Sequence, residues 1–309
     1  MRVASIFIAV LGLWSFRDYS SLSLSLPLTY GPIICEIDFT LKSRGDDMLE
    51  VNRLSIYTPE QKPILQNISF TLSKGKTLGL IGMSGAGKTM LSLALLRLVN
   101  PMFHVKGDVQ FQGKSLLSLP SKDMSRIRGK EIGFLTQHPH PAFDPIYTVG
   151  EQMIDTIRAH FSYTKKESRK VITPLLRSMA FRDPEYLLQR YPFELSGGML
   201  QRVMITLMLA LKPTLMIADE PTTALDTVTQ REVLDQWSTL RDDQEQSMIL
   251  VTHDLNIIGK FADEVLVLQS GVVVEHLTVE QLFTNPSHSY TKNLLRFYRK
   301  LNGGTSDGD

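Results

Sequence analysis

Gly82-Met83-Ser84-Gly85-Ala86-Gly87-Lys88-Thr89 is the stretch that decides the fold. It fits the phosphate-binding pattern G-x-x-x-x-G-K-[ST], and its surroundings suit that reading. Lys76-Thr77-Leu78-Gly79-Leu80-Ile81 reads as a short buried strand before it, and Met90 to Leu98 as an apolar helix after it. Three glycines let successive backbone N–H groups curl round a phosphate, and the helix N-terminus adds its positive end. Lys88 is expected to reach the β- and γ-phosphates, and the Thr89 hydroxyl to ligate Mg²⁺.

A phosphate loop alone leaves kinases, GTPases and many ATPases open. Thr214-Leu215-Met216-Ile217-Ala218-Asp219-Glu220 narrows the choice, reading as a buried parallel strand that ends in two acids. Asp219 is placed to serve the metal. Glu220 is expected to face the other way, because successive strand residues point to opposite sides, and so to polarise an attacking water.

Leu195-Ser196-Gly197-Gly198-Met199-Leu200-Gln201-Arg202 opens a helix whose Leu200, Val203, Met204, Leu207, Met208 and Leu211 form an apolar stripe. Ser196 and the two glycines expose backbone N–H groups at its N-terminus, a second anion cradle. The octet resembles the signature sequence of ATP-binding-cassette (ABC) transporter ATPases. The resemblance implies that Ser196, Gly197, Gly198 and Met199 close over the nucleotide of an opposite subunit. Met199 stands where the family usually carries Gln.

Other family motifs follow in order between Tyr57 and His253. Tyr57 resembles the aromatic that stacks on adenine. Gln137 resembles the residue that touches Mg²⁺ and the attacking water. Thr223-Ala224-Leu225-Asp226 resembles the loop that places Asp226 at the dimer interface, and His253 the switch histidine that contacts the γ-phosphate. The implied catalytic set is Glu220, His253 and Gln137. Thr89, Gln137 and Asp219 would hold Mg²⁺, and ATP would be the nucleotide. The implied fold is an α/β phosphate-loop nucleotide-binding domain over 48–301. It has a RecA-like core, an antiparallel β portion and a helical subdomain inserted over about 137–206.

The chain has 309 residues, with 33 Lys+Arg against 32 Asp+Glu, which gives no basic footprint for nucleic acid. Its one cysteine, Cys35, excludes a disulfide framework, a four-cysteine zinc site and a cysteine-ligated iron–sulfur cluster. No apolar run reaches the roughly 18 residues of a membrane-spanning helix. Residues 1–47 differ from the rest, with an apolar start and Ser-Leu alternation. They are expected to be an extension upstream of a true start at Met48. Residues 302–309, rich in Gly and Asp, are expected to form a flexible tail.

Asn285-Pro286-Ser287-His288-Ser289-Tyr290-Thr291 is close to the N-P-x-H-P-Y-T segment of the dipeptide, oligopeptide and nickel importer ATPases, with Ser289 in place of proline. Tyr191-Pro192-Phe193-Glu194 before the signature tilts toward the nickel and metallophore branch. The resemblance thus implies an ATP hydrolase at the cytoplasmic face of the cell membrane. Its partners would be a paralogous ATPase, two membrane permease subunits and an extracytoplasmic substrate-binding protein, with no nucleic acid. A peptide importer is the alternative. A DNA-acting ABC ATPase is the alternative of another class. His138, His140 and His160 are too scattered to be nickel ligands.

Overall fold

The computed structural model describes residues 47–223, 225, 230, 231, 233–235 and 246–301. Residues 1–46, Asp226 and the tail at 302–309 lie outside the described residues, and so does Cys35.

Two sheets stack with α1 (Lys88–Leu95) between them. The first is antiparallel: β1 (Asp47–Tyr57), β2 (Pro63–Ser73), β4 (His104–Phe111) and the short β5 (Lys114–Ser115) lie in the order β2-β1-β4-β5. Met48, Leu49, Val51, Leu54 and Ile56 are all buried, so the apolar side chains of the first strand belong to the core while Arg53 stays exposed.

The second sheet is mostly parallel. β3 (Thr77–Ile81), β6 (Ile132–Leu135), β7 (Leu215–Asp219), β8 (Ser247–Val251) and β9 (Glu264–Gln269) run together, and β10 (Val272–Thr278) closes the edge antiparallel to β9. The order is β10-β9-β3-β8-β7-β6. β3, β7 and β8 are buried throughout, as expected of strands covered on both faces. Their period of two divides the core. Leu78, Leu80, Ile217 and Ile249 pack toward the first sheet with Leu91 and Leu95, while Met216, Ala218, Met248 and Leu250 pack on the opposite side.

That opposite side is covered by helices. A short α2 (Ser121–Ile127) precedes β6. The inserted subdomain holds α3 (Val149–His160), α4 (Lys165–Ser178), α5 (Pro184–Leu188) and α6 (Gly197–Leu211). Between Val149 and Ser178 the chain forms two helices, not one. Thr164 caps the second, its hydroxyl accepting the Glu167 N–H while the Glu167 carboxylate accepts the Thr164 N–H. This capping box starts a new helix and breaks the run. α6 also departs from the simple stripe. Gln201, Ile205, Thr206, Leu209 and Ala210 are buried beside the expected apolar positions, because α6 lies between the subdomain and the sheet.

The C-terminal portion packs on β9 and β10 through α7 (Leu255–Phe261), α8 (Val279–Thr284) and α9 (Ser289–Leu301). Asn285, followed by Pro286, ends α8. Glu275 on β10 then anchors the loop: its Oε1 accepts the backbone N–H of Ser287 (2.7 Å) and of His288 (2.8 Å).

Candidate active site

Parallel strands carry their loops on one edge. In the order β9-β3-β8-β7-β6, the residues just past the carboxyl ends are the phosphate loop after β3, His253 after β8, Asp219 and Glu220 at β7, and Gln137 after β6. A cavity of about 1190 Å³ lies there, lined by Gly82 to Met90, Gln137, Asp219, Glu220 and His253. Residues far apart in sequence are gathered by strand order alone.

The phosphate loop needs its glycines for two different reasons. A Cβ on Gly82 would sit 2.2 Å from the carbonyl oxygen of Leu268, so only hydrogen fits. Gly87 has φ +102°, a left-handed conformation, and α1 begins directly after it at Lys88. The first N–H groups of α1 therefore open into the cavity. Lys88 Nζ donates to Gly82 O (2.8 Å) and Met83 O (3.1 Å). An ammonium has three donors, so one remains for a phosphate. Burial pulls the Lys88 pKa down, and Glu220 and Asp219 oppose the fall.

Asp219 is 2% exposed. Burial pushes its carboxyl above the ordinary range and the Glu220 charge adds to the rise, whereas the Thr89 hydroxyl, Lys88 and His138 pull it back. The Asp219 carboxylate, the Thr89 hydroxyl bonded to it and the Gln137 amide in the same cavity lining are hard oxygen donors of the kind that suit Mg²⁺. Among the described residues no group of three or more His, Cys, Asp or Glu side chains could hold a metal.

Glu220 corrects one expectation. It does not continue the pleat: it lies past the end of β7 at φ +50°, with its N–H donated to Val251 O (2.9 Å). A left-handed turn, not strand alternation, aims it away from Asp219. Its carboxylate meets His253 Nδ1 at 2.8 Å, and Oε2 accepts the Thr223 hydroxyl at 2.8 Å. Because an ionised carboxylate only accepts, Nδ1 carries the proton in this contact. The Glu220 side chain is 10% exposed and that of His253 70%, and both line the cavity.

Other expected residues lie elsewhere. Ser196 caps α6, accepting the Met199 N–H (3.3 Å), and Ser196 to Met199 do not line the cavity of their own chain. Tyr57 ends β1 with Lys106 Nζ 5.5 Å from its ring centre, and it too is outside the cavity lining. The cavity aromatics are Tyr290, Phe297 and Tyr298 of α9. His138 and His140 are exposed in the loop after Gln137, with Ile146 69% exposed at its end. Thr223 as a partner of Glu220, and α9 as a wall of the site, have no signal at the level of residue spacing.

These features define a phosphate-loop nucleotide-binding cassette. The family model described as "ABC transporter" matches residues 65–223. The metal-staphylopine import system ATP-binding protein CntD of Staphylococcus aureus is 43% identical over 256 residues, 82% of this chain and 94% of the relative. The oligopeptide transport ATP-binding protein AppD of Bacillus subtilis is 39% identical over 83% of this chain and 80% of its own length. Among solved structures, the dimeric post-hydrolysis state of the ATP-binding cassette MJ0796 bound to ADP and Pi superposes with a TM-score of 0.68 at 25% identity. That match covers 75% of this chain and 99% of MJ0796. The chain belongs to the ABC transporter family, as an ATP-binding subunit that hydrolyses ATP to drive transport. No helix among the described residues is long and apolar enough to cross a membrane.

Proposed function

We propose that this subunit energises import of nickel or of a metal–metallophore complex, working peripherally at the cytoplasmic face of the membrane. The observation that carries this reading is the 43% identity to a metal-staphylopine ATPase along 94% of that relative. The oligopeptide relative at 39% supports the alternative cargo, a dipeptide or oligopeptide. Its partners are two permease subunits, an extracytoplasmic binding protein and a second, paralogous ATPase. The exposed Ile146 and Tyr147, in the segment that follows Gln137, offer the permeases apolar contacts, as do Tyr191 and Phe193, stacked 5.5 Å apart ahead of the signature. Uptake of labelled nickel, with and without metallophore, in a deletion strain tests the cargo. Loss of peptide uptake alone would move the reading to the alternative, and stimulation of the ATPase by DNA would refute both.

The chemistry divides among the named residues. Lys88 and the loop amides of Gly82 to Thr89 bind the phosphates, and Tyr57 packs on the base. Thr89, Asp219 and Gln137 would hold Mg²⁺, which neutralises charge on the phosphate oxygens when bound. Glu220 accepts a proton from the attacking water, and His253 orients that carboxylate from the other side. Ser196, Gly197, Gly198 and Met199 close over the partner's nucleotide, with Asp226 at the shared interface.

A further inference from the structure

The peptide unit joining Gly82 to Met83 is held from both ends. Its carbonyl, Gly82 O, accepts Lys88 Nζ at 2.8 Å, and its N–H, on Met83, is donated to the Tyr290 hydroxyl at 2.9 Å. Tyr290 belongs to α9, more than two hundred positions along the chain. One face of α9 is fixed to the core by Thr291 and Leu295, which are 0% and 5% exposed. Tyr290, Asn293, Phe297 and Tyr298 meanwhile line the nucleotide cavity. Tyr298 repeats the arrangement at the other rim. Its hydroxyl donates to Asp254 Oδ1 (2.8 Å) and accepts the Asn256 N–H (3.2 Å), next to His253.

We propose that Tyr290 is a positioning residue of the nucleotide site, so that docking of α9 and occupation of the phosphate loop are coupled. The hydroxyl fixes the Gly82–Met83 peptide. That peptide, with Met83 O, uses two of the three Lys88 donors and leaves the third for the phosphates. Donation of the N–H to an acceptor also polarises the carbonyl at the other end of the same peptide, which strengthens its hold on the ammonium. Without the hydroxyl the peptide would turn in solvent, and Lys88 would have to be ordered when nucleotide binds. Coupling of this kind is reciprocal: nucleotide must steady α9 as much as α9 prepares the loop.

The inference rests on the phosphate-loop reading above, and the test separates the two. In the full chain, Tyr290→Phe keeps the ring and removes only the hydroxyl. The expected result is ATP affinity weaker by about three- to ten-fold, the range for loss of one modest hydrogen bond. In the assembled transporter kcat should stay within about two-fold, since Glu220 and His253 are untouched. Hydrogen exchange supplies a readout that a merely structural role would not move. ATP should slow exchange of α9 amides in the parent, and this response should vanish in Tyr290→Phe while Lys292→Ala, exposed on the same helix, retains it. A Tyr290→Phe protein with parental ATP affinity, or with the parental α9 response, would overturn the proposal. A parent that binds no ATP would overturn the site reading and the coupling with it.

Discussion

Glu220 and His253 meet at 2.8 Å across the carboxyl ends of two neighbouring strands, although 33 positions separate them. The contact gives each residue a separate task. Glu220, bonded also to Thr223, is held as an acceptor in the cavity lining, while His253 is the more exposed of the two.

Glu220→Gln should therefore retain ATP binding, because the amide has nearly the same size and Lys88, Thr89 and Asp219 are unaltered. Hydrolysis should fall by about 10²-fold or more, the scale of a lost general base. His253→Ala should lower turnover with little change in affinity. Single-turnover hydrolysis beside nucleotide titration distinguishes these results. A Glu220→Gln protein that hydrolyses near the parental rate would assign the water to Gln137 or His253 instead.

Lys88→Ala should show the opposite profile. The ammonium is the charged partner of the phosphates, and hydrogen bonds to charged groups contribute about 1.5–3 kcal/mol each. ATP affinity should drop roughly 10- to 100-fold, and closure of the ATPase pair should weaken in parallel. Isothermal titration and analytical sedimentation with ATP would measure both effects.

Much of this architecture is legible from residue order. The phosphate loop, the acid-ended strand and the signature each carry a local backbone requirement, and local requirements leave local patterns: Gly87 at φ +102° and Ser196 as a helix cap are examples. Contacts made by the fold leave no such pattern. The turn that redirects Glu220 is a left-handed residue with no glycine to mark it, and alternation along β7 suggests a different cause for the same direction. Tyr290 reaches Met83 only because α9 returns across the sheet edge. The break between α3 and α4 is local in origin as well, set by the capping box of Thr164 and Glu167 ahead of a polar first turn and a half.

Asp219 should be a stability cost in the nucleotide-free protein. Its raised folded-state pKa means that the folded chain binds more protons than the unfolded chain between the ordinary aspartate value of 3.8 and the raised one. Stability therefore falls as pH rises through that window. Asp219→Asn removes the buried charge and should melt higher than the parent at pH 7 in the absence of nucleotide and metal, with a flatter pH profile. The same variant should lose the extra stabilisation that Mg-ATP gives the parent. Melting curves from pH 4 to 7, with and without Mg-ATP, would test both parts.

Glu275 should behave in the reverse sense. Burial pushes its carboxyl up, but hydrogen bonds from Ser287 and His288 help to outweigh burial and leave it below the ordinary glutamate value. A depressed folded-state pKa contributes stability that is complete above the unfolded value of 4.5 and is lost as pH falls through the folded one. Glu275→Ala strands the Ser287 and His288 N–H groups that turn the chain from α8 into α9. The expected loss at pH 7 is about 2 kcal/mol, within the usual cost of unsatisfied donors to a charged acceptor. For a chain of this size that corresponds to a Tm lower by about 4–8 °C. The gap between parent and variant should narrow below about pH 4.5, as protonation removes from the parent what the substitution removed from the variant. Because this loop sets the start of α9, ATP affinity should weaken as well, in the direction of Tyr290→Phe. A gap in Tm that stays constant from pH 7 to pH 3.5 would show that the carboxylate charge is not what holds the turn.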